Sequence, residues 1–338
     1  MSALSIVVPC FNEEACLAEL HQRLSAAARS AAGEDYELVL VNDGSRDGSW
    51  YAMQRMAADD PHVVAINLSR NHGHQLALTA GLDLCRGDAI LIIDADLQDP
   101  PELLPPMLEA MRESGADVVY GVRRSRAGET AFKRATAHGF YRLLSRVTEV
   151  DIPLDAGDFR LMSRRALDAL LAMPEQARFI RGMVAWIGFK QLPFPYDRQQ
   201  RFAGETKYPL RKMMRFALDA MTGFSSAPLK LASHAGLLLS AGSVLLVLYI
   251  AYAWASGRSI QGWTSLMLVV VILGAIQMFA LALMGEYIGR LYNESKRRPL
   301  YIVQDIAGGD GQHARLGYLA EATANSDRPG GKGKRPTK

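Results

Sequence analysis

The chain has 338 residues, with 38 Lys and Arg against 35 Asp and Glu and a formal net charge of +3. That length holds a domain of ordinary size plus something more, and so mild a charge gives no reason to expect a nucleic-acid partner. The three cysteines, Cys10, Cys16 and Cys85, are odd in number and lack metal-site spacing, which argues against a disulfide framework and for a reducing compartment.

The N-terminus, MSALSIVVPC, carries no basic leader and no long apolar stretch, so it does not read as a signal peptide. Leu4 to Val8 reads as a strand instead, and similar runs follow at Leu38 to Val41, Val63 to Leu68, Ala89 to Ile93 and Val118 to Tyr120. Between them lie stretches of helical spacing, such as Leu17, Leu20 and Leu24. Strand and helix alternating in this way predict a three-layer α/β domain on a mostly parallel sheet. Neither G-x-G-x-x-G nor G-x-x-x-x-G-K-[ST] follows any of the strands, so a nucleotide would have to be held by other means.

The fourth run ends abruptly in acids: AILIIDADLQDPPELL places Asp94, Asp96 and Asp99 where the extended chain gives way to a loop. Ligands of open α/β sheets gather at that carboxyl end. Crowded carboxylates repel unless a cation neutralises them, and oxygen ligands suit Mg²⁺ or Mn²⁺, so Asp94 and Asp96 are the candidate metal pair. Asp99 and Pro100 read as the cap and first residue of a helix. An EF-hand loop is excluded, because Asp99 and Pro105 stand where it needs glycine and glutamate.

After Tyr120 the residues Arg123, Arg124, Arg126, Lys133 and Arg134 crowd a glycine-containing segment, a composition suited to phosphate or to a solvated surface loop. Farther on, Leu210, Met213, Met214, Ala217, Leu218 and Met221 recur at helical intervals among Arg211, Lys212 and Arg215, as in a helix lying in a membrane interface. Two runs without charge follow, Ala235 to Gly257 and Ser259 to Gly285, each long enough to span a hydrocarbon core of about 20 residues. The connector is short, so both outer ends face one side. Lys207, Arg211, Lys212, Arg215 and Lys230 before the pair, and Arg290, Lys296, Arg297 and Arg298 after it, assign that side to the cytoplasm. Gly236, Ala241 and Gly274 could pack spans within one chain or between the chains of a homo-oligomer. The expected divisions are a catalytic domain over 1–206, interfacial helices over 207–232, two spans over 233–289, and a cytoplasmic segment over 290–338, disordered after about residue 308.

Six stretches in order, IVVPCFNEE, VNDGSRDGS, DADLQDPPE, GVRRSR, AGDFRLMSRR and QQRFAGETKY, resemble the motifs of the polyisoprenyl-phosphate glycosyltransferases, inverting family 2 enzymes of GT-A fold. The resemblance runs from about Ser5 to Val303 and leans toward bactoprenol glucosyltransferases and dolichol-phosphate mannose synthases. It implies that Pro9, Phe11, Glu13, Val41, Asp43 and Ala95 hold a nucleotide-sugar donor. It implies that Asp94, Asp96 and Gln98 hold the metal at the diphosphate, that Arg123 meets the acceptor phosphate, and that Arg201 and Lys207 contact donor or acceptor phosphates. Asp158 falls where inverting enzymes of this fold keep a base, although a phosphomonoester acceptor, with its second pKa near about 6, needs little deprotonation. The expected reaction moves a hexose, glucose from UDP-glucose, onto undecaprenyl phosphate at a lipid bilayer, the cytoplasmic membrane. The alternatives are GDP-mannose or a modified UDP-sugar as donor, or a scaffold that binds nucleotide sugars without turnover. A processive polysaccharide synthase would carry Q-x-x-R-W, and the chain reads QARFI at Gln176.

Overall fold

In the computed structural model the described residues are 3–123, 156–198 and 262–309, with isolated positions between 236 and 256. They fall into two compact units, one built around a sheet and the other containing a long apolar helix.

The sheet unit opens with β1 (Leu4–Cys10), α1 (Glu14–Ala32), β2 (Tyr36–Asn42), α2 (Ser49–Asp59), β3 (Val63–Leu68), α3 (His74–Leu84) and β4 (Ala89–Ile92). A 3₁₀ turn (Pro101–Leu103), α4 (Leu104–Ser114) and β5 (Val118–Arg123) come next. After residue 155 come β6 (Ala156–Ser163), α5 (Arg164–Leu171), α6 (Ile180–Trp186) and β7 (Gln191–Tyr196). The second unit contributes α7 (Trp263–Ser295), and β8 (Val303–Gly308) returns to the sheet.

The strands form one 8-stranded sheet in the order β7-β5-β6-β4-β1-β2-β3-β8. β1 to β4 are buried from end to end apart from Ala89, as expected of strands covered on both faces. Alternate residues of β1 divide the work. Leu4, Ile6, Val8 and Cys10 join Leu17, Leu20 and Leu24 of α1 in the main core, while Val7 meets α3 on the opposite face. Gly81 is what lets α3 settle there: a Cβ at that position would run into Val7 Cγ1 and come within 2.9 Å of Val41 Cγ2.

The sheet is mixed, a correction to the mostly parallel expectation. β1 pairs in parallel with β2 and β4, and β5 with β7, but β6 runs antiparallel to both β4 and β5, and β8 antiparallel to β3. Periodicity had not marked β6, β7 or β8. β6 carries Asp158 and Arg160 in its interior, β7 has two prolines, and β8 is a partly exposed edge strand reading VQDIAG. The reversal of β6 matters for chemistry, because it brings the start of β6 to the carboxyl ends of β4 and β5: Ile92 stands opposite Arg160, and Val122 opposite Ala156.

Asp99 is no helix cap. It is 1% exposed, accepts a hydrogen bond from the Tyr196 hydroxyl and lies 3.6 Å from Arg198 Nε, tying the acidic loop to the end of β7. Prolines open the turn and α4, where missing N–H groups cost nothing.

Within α7, the stretch Ile272–Ser295 is long and apolar enough to cross a membrane. Val270, Met278, Phe279 and Leu281 are exposed, unlike the side chains of a core helix. The first apolar run, the interfacial helix, the basic residues 124–134, Arg201 and Lys207 lie outside the described residues or are described only at isolated positions.

Candidate active site

The carboxyl ends of β1, β2, β4 and β5 and the amino end of β6 converge on one edge of the sheet. Two loops clasp each other beside it. Asn12, in a left-handed conformation at φ 58°, donates its N–H to Ser45 Oγ and accepts from the Arg46 N–H at 2.8 Å. Gly44 at φ 65° lies so close to the backbone of Arg70 and Asn71 that a side chain would collide with both.

Asp43 is buried and accepts hydrogen bonds from the backbone N–H groups of His72 at 2.6 Å and Gly73 at 3.0 Å. Burial pushes its carboxyl up, against the lowering effect of those bonds. Its two oxygens hold the entrance to α3, a duty the resemblance did not suggest. Pro9, Val41 and Ala95 are buried, and Val41 packs against Gly81 of α3. Phe11, 43% exposed, and the half-buried Glu13 remain accessible at the same edge.

The entrance that Asp43 fixes delivers His74 into the acidic cluster. His74 Nε2 lies 3.2 Å from Asp158 Oδ2 and 3.6 Å from Asp94 Oδ1. Among the described residues, ligand atoms of His74, Asp94 and Asp158 all lie within 4.8 Å of one another. Among the described residues, Asp94 Oδ1 is shielded from solvent and has no hydrogen-bond partner. Burial and the neighbouring Asp158, Asp99 and Asp96 carboxylates push the Asp94 carboxyl up to about 6, against the lowering effect of His74. A buried acceptor crowded by like charges fits a cation.

Asp96 and Gln98 follow Asp94 on the same loop. The loop turns back on itself after Asp96, whose Oδ1 accepts the Gln98 N–H at 3.1 Å. Leu97 between them takes a left-handed φ of 57°, held there by a side chain only 1% exposed.

Asp158, 6% exposed, is gripped from several sides. Arg181 of α6 forks onto it, Nε to Oδ1 at 2.8 Å and Nη2 to Oδ2 at 3.2 Å, and Gln75 Nε2 donates to Oδ2 at 3.4 Å. Burial alone would raise this carboxyl, but the His74 hydrogen bond and the Arg181 charge overcome it and hold it well below the usual carboxylate range. Such a group is a poor proton acceptor at neutral pH. Gln75 also accepts the Ile180 N–H at 3.0 Å, locking α3 to α6. Below Asp158, the buried Arg160 donates to the carbonyls of Gly157 and Asp158, and burial lowers it to about 10.

Arg123 ends β5 opposite Tyr196, and its Nη2 approaches Gly157 so closely that a Cβ there would sit 3.3 Å away. Among the described residues its Nε is buried without a hydrogen-bond partner. His74, Gln75 and Arg181 were missed from the sequence. The NHGHQ stretch after β3 was the available signal for the first two, and nothing local marks Arg181.

A family model described as "Glycosyl transferase family 2" matches residues 5–171. An uncharacterized glycosyltransferase, YkcC of Bacillus subtilis, is 50% identical over 305 residues, covering 90% of this chain and 94% of that protein. A prophage bactoprenol glucosyl transferase homolog of Escherichia coli is 38% identical, over 90% of this chain and 99% of its own length. The bactoprenol glucosyl transferase of Shigella phage SfV is 37% identical, over 89% and 98%. Among solved structures, the mannosyltransferase PcManGT from Pyrobaculum calidifontis overlaps at 18% identity with a TM-score of 0.42, covering 82% of this chain and 87% of that one, too loose a match to carry functional weight. Identity at this level extends well beyond the sheet edge where the acids and Arg123 meet, and the mixed sheet is that of the GT-A fold: the chain is an enzyme of glycosyltransferase family 2.

Proposed function

We propose that the protein transfers glucose from UDP-glucose to undecaprenyl phosphate at the cytoplasmic face of the inner membrane, giving a lipid-phosphate sugar. The observation that carries this reading is the alignment with bactoprenol glucosyl transferases along 98–99% of their lengths, which takes in the apolar segments as well as the sheet. Residues 1–206, completed by β8, form the catalytic domain, 207–232 lie at the interface, 233–289 form a two-span hairpin, and 290–338 return to the cytoplasm. Joining a soluble-donor site and a membrane anchor in one chain suits an acceptor whose phosphate sits at the bilayer surface.

In this reading Phe11, Glu13 and the backbone around Pro9 and Ala95 flank the nucleotide. Asp94, with Asp96 beside it, holds Mg²⁺ or Mn²⁺, and the unpartnered Asp94 oxygen supports that fit. The cation, when bound, supplies charge to stabilise the departing nucleoside diphosphate. Arg123, with Arg201 and Lys207, receives phosphate. Asp158 acts as a fixed anion that orients, because its carboxylate is already neutralised by Arg181 and a dianionic acceptor phosphate needs no base.

The test is a panel of radiolabelled donors offered to the purified full-length protein with undecaprenyl phosphate, read as label entering a lipid extract. UDP-glucose should be the preferred donor. Label entering lipid only from GDP-mannose or another sugar nucleotide would replace the donor, and no lipid label from any donor would overturn the reaction.

A further inference from the structure

We propose that His74 is a nitrogen ligand of the catalytic cation, sharing it with Asp94, and that the site is therefore a mixed imidazole–carboxylate site. This rests on the reading above that a divalent cation binds at Asp94.

The geometry comes first. Two atoms each bonded to one ion at about 2.0–2.2 Å lie roughly 3 Å apart at a right angle and about 3.5 Å apart at a tetrahedral angle. His74 Nε2 and Asp94 Oδ1 are 3.6 Å apart, too far to hydrogen-bond to each other and within a few tenths of an ångström of spanning an ion. Side-chain rotation alone covers such a difference. Among the described residues the Asp94 oxygen has no hydrogen-bond partner.

The imidazole is also held for the task. Asp43 fixes the backbone of His72 and Gly73 immediately before it, and Gln75 immediately after it is bonded to the Ile180 N–H and to Asp158. The ring itself is 43% exposed, so an ion and its remaining oxygen ligands can reach Nε2. Asp158, the third member of the cluster, is unsuited to ligate: Arg181 occupies both of its oxygens and cancels its charge. Its hydrogen bond with Nε2 is exchanged for the ion, while Arg181 and Gln75 keep the carboxylate satisfied. Imidazole nitrogen shifts a carboxylate site away from Mg²⁺ and toward Mn²⁺ and later first-row ions.

The test uses untagged, full-length protein in detergent with Mn²⁺ alone, then with Mn²⁺ and UDP, read by pulsed EPR for nitrogen coupled to the ion. The expected result is ¹⁴N modulation that changes to the ¹⁵N pattern when the protein is grown on ¹⁵N-histidine, and that disappears in His74→Gln. Mn²⁺ affinity should fall roughly tenfold or more in that variant and Mg²⁺ affinity by less. The labelled parent protein shows that a histidine is the ligand however well the variant folds, and loss of the coupling in His74→Gln identifies which one. Bound Mn²⁺ with no histidine nitrogen coupling would overturn the ligand assignment and leave the metal reading standing. No Mn²⁺ binding in either condition would overturn both.

Discussion

Replacing Arg181 with Gln removes one partner of a buried ion pair and leaves Asp158, 6% exposed, with His74, Gln75 and the nearby Arg160 charge. Breaking such a pair from one side costs about 3–5 kcal/mol when the remaining charge is fully uncompensated. Here the surviving hydrogen bonds and the partial exposure of Arg181 bring the expected loss to about 2–3 kcal/mol. For a domain near 200 residues that corresponds to a fall in melting temperature of roughly 4–12 °C. The pH dependence has a definite sign. A carboxyl whose folded pKa is depressed contributes stability that is fully present above its ordinary unfolded value, near about 3.9, and is lost as pH falls below it toward the folded pKa. The gap between parent and Arg181→Gln should therefore be widest at neutral pH and narrow below about pH 4. Thermal unfolding of the full-length protein in detergent, followed by tryptophan fluorescence from pH 7 to pH 3.5, measures it. The double variant Asp158→Asn with Arg181→Gln should recover part of the loss, because no unpaired charge remains. Equal melting temperatures at pH 7, or single-variant effects that simply add, would refute the assignment of Arg181 as the group that neutralises Asp158.

Three further outcomes follow from the same geometry. Chelation should abolish transfer and Mn²⁺ or Mg²⁺ should restore it, while Asp96→Ala stays folded by circular dichroism and inactive. Arg123→Lys keeps a charge but loses the guanidinium fork, so the apparent affinity for the lipid phosphate should weaken roughly ten- to hundredfold with little change in UDP binding by calorimetry. Gly81→Ala would drive a methyl into Val7 and Val41 and should destabilise the domain by about 1–3 kcal/mol in denaturant titration, without changing metal affinity.

The first five strands could be read from the chain because each is an apolar run closed by turn residues, and the acids after Ile93 stood out because they end such a run. The antiparallel half of the sheet was hidden by the residues that make it useful. Asp158 and Arg160 break the apolar pattern of β6, and the prolines of β7 argue against a strand, though β7 lies at a sheet edge where proline is tolerated. Asp99 carries the local signature of a cap, yet its partners, Tyr196 and Arg198, lie about a hundred residues away and only the folded sheet introduces them. His74 and Arg181 are of the same kind: one opens a helix after β3, the other sits on a short helix after β6, and the carboxylate they share comes from a third place in the chain. Family resemblance supplied the motifs, and only the folded packing shows that Asp43 also holds the entrance of α3 and that Val41 lies against that helix.

The most direct test of the account is transfer itself: purified full-length protein, UDP-[¹⁴C]glucose, undecaprenyl phosphate and Mn²⁺, with label followed into the organic phase. The expected result is a labelled, acid-labile lipid that forms only with metal present and is lost in Asp94→Ala. Label that stays in water as free glucose, or a lipid product that forms equally well in Asp94→Ala, would contradict it.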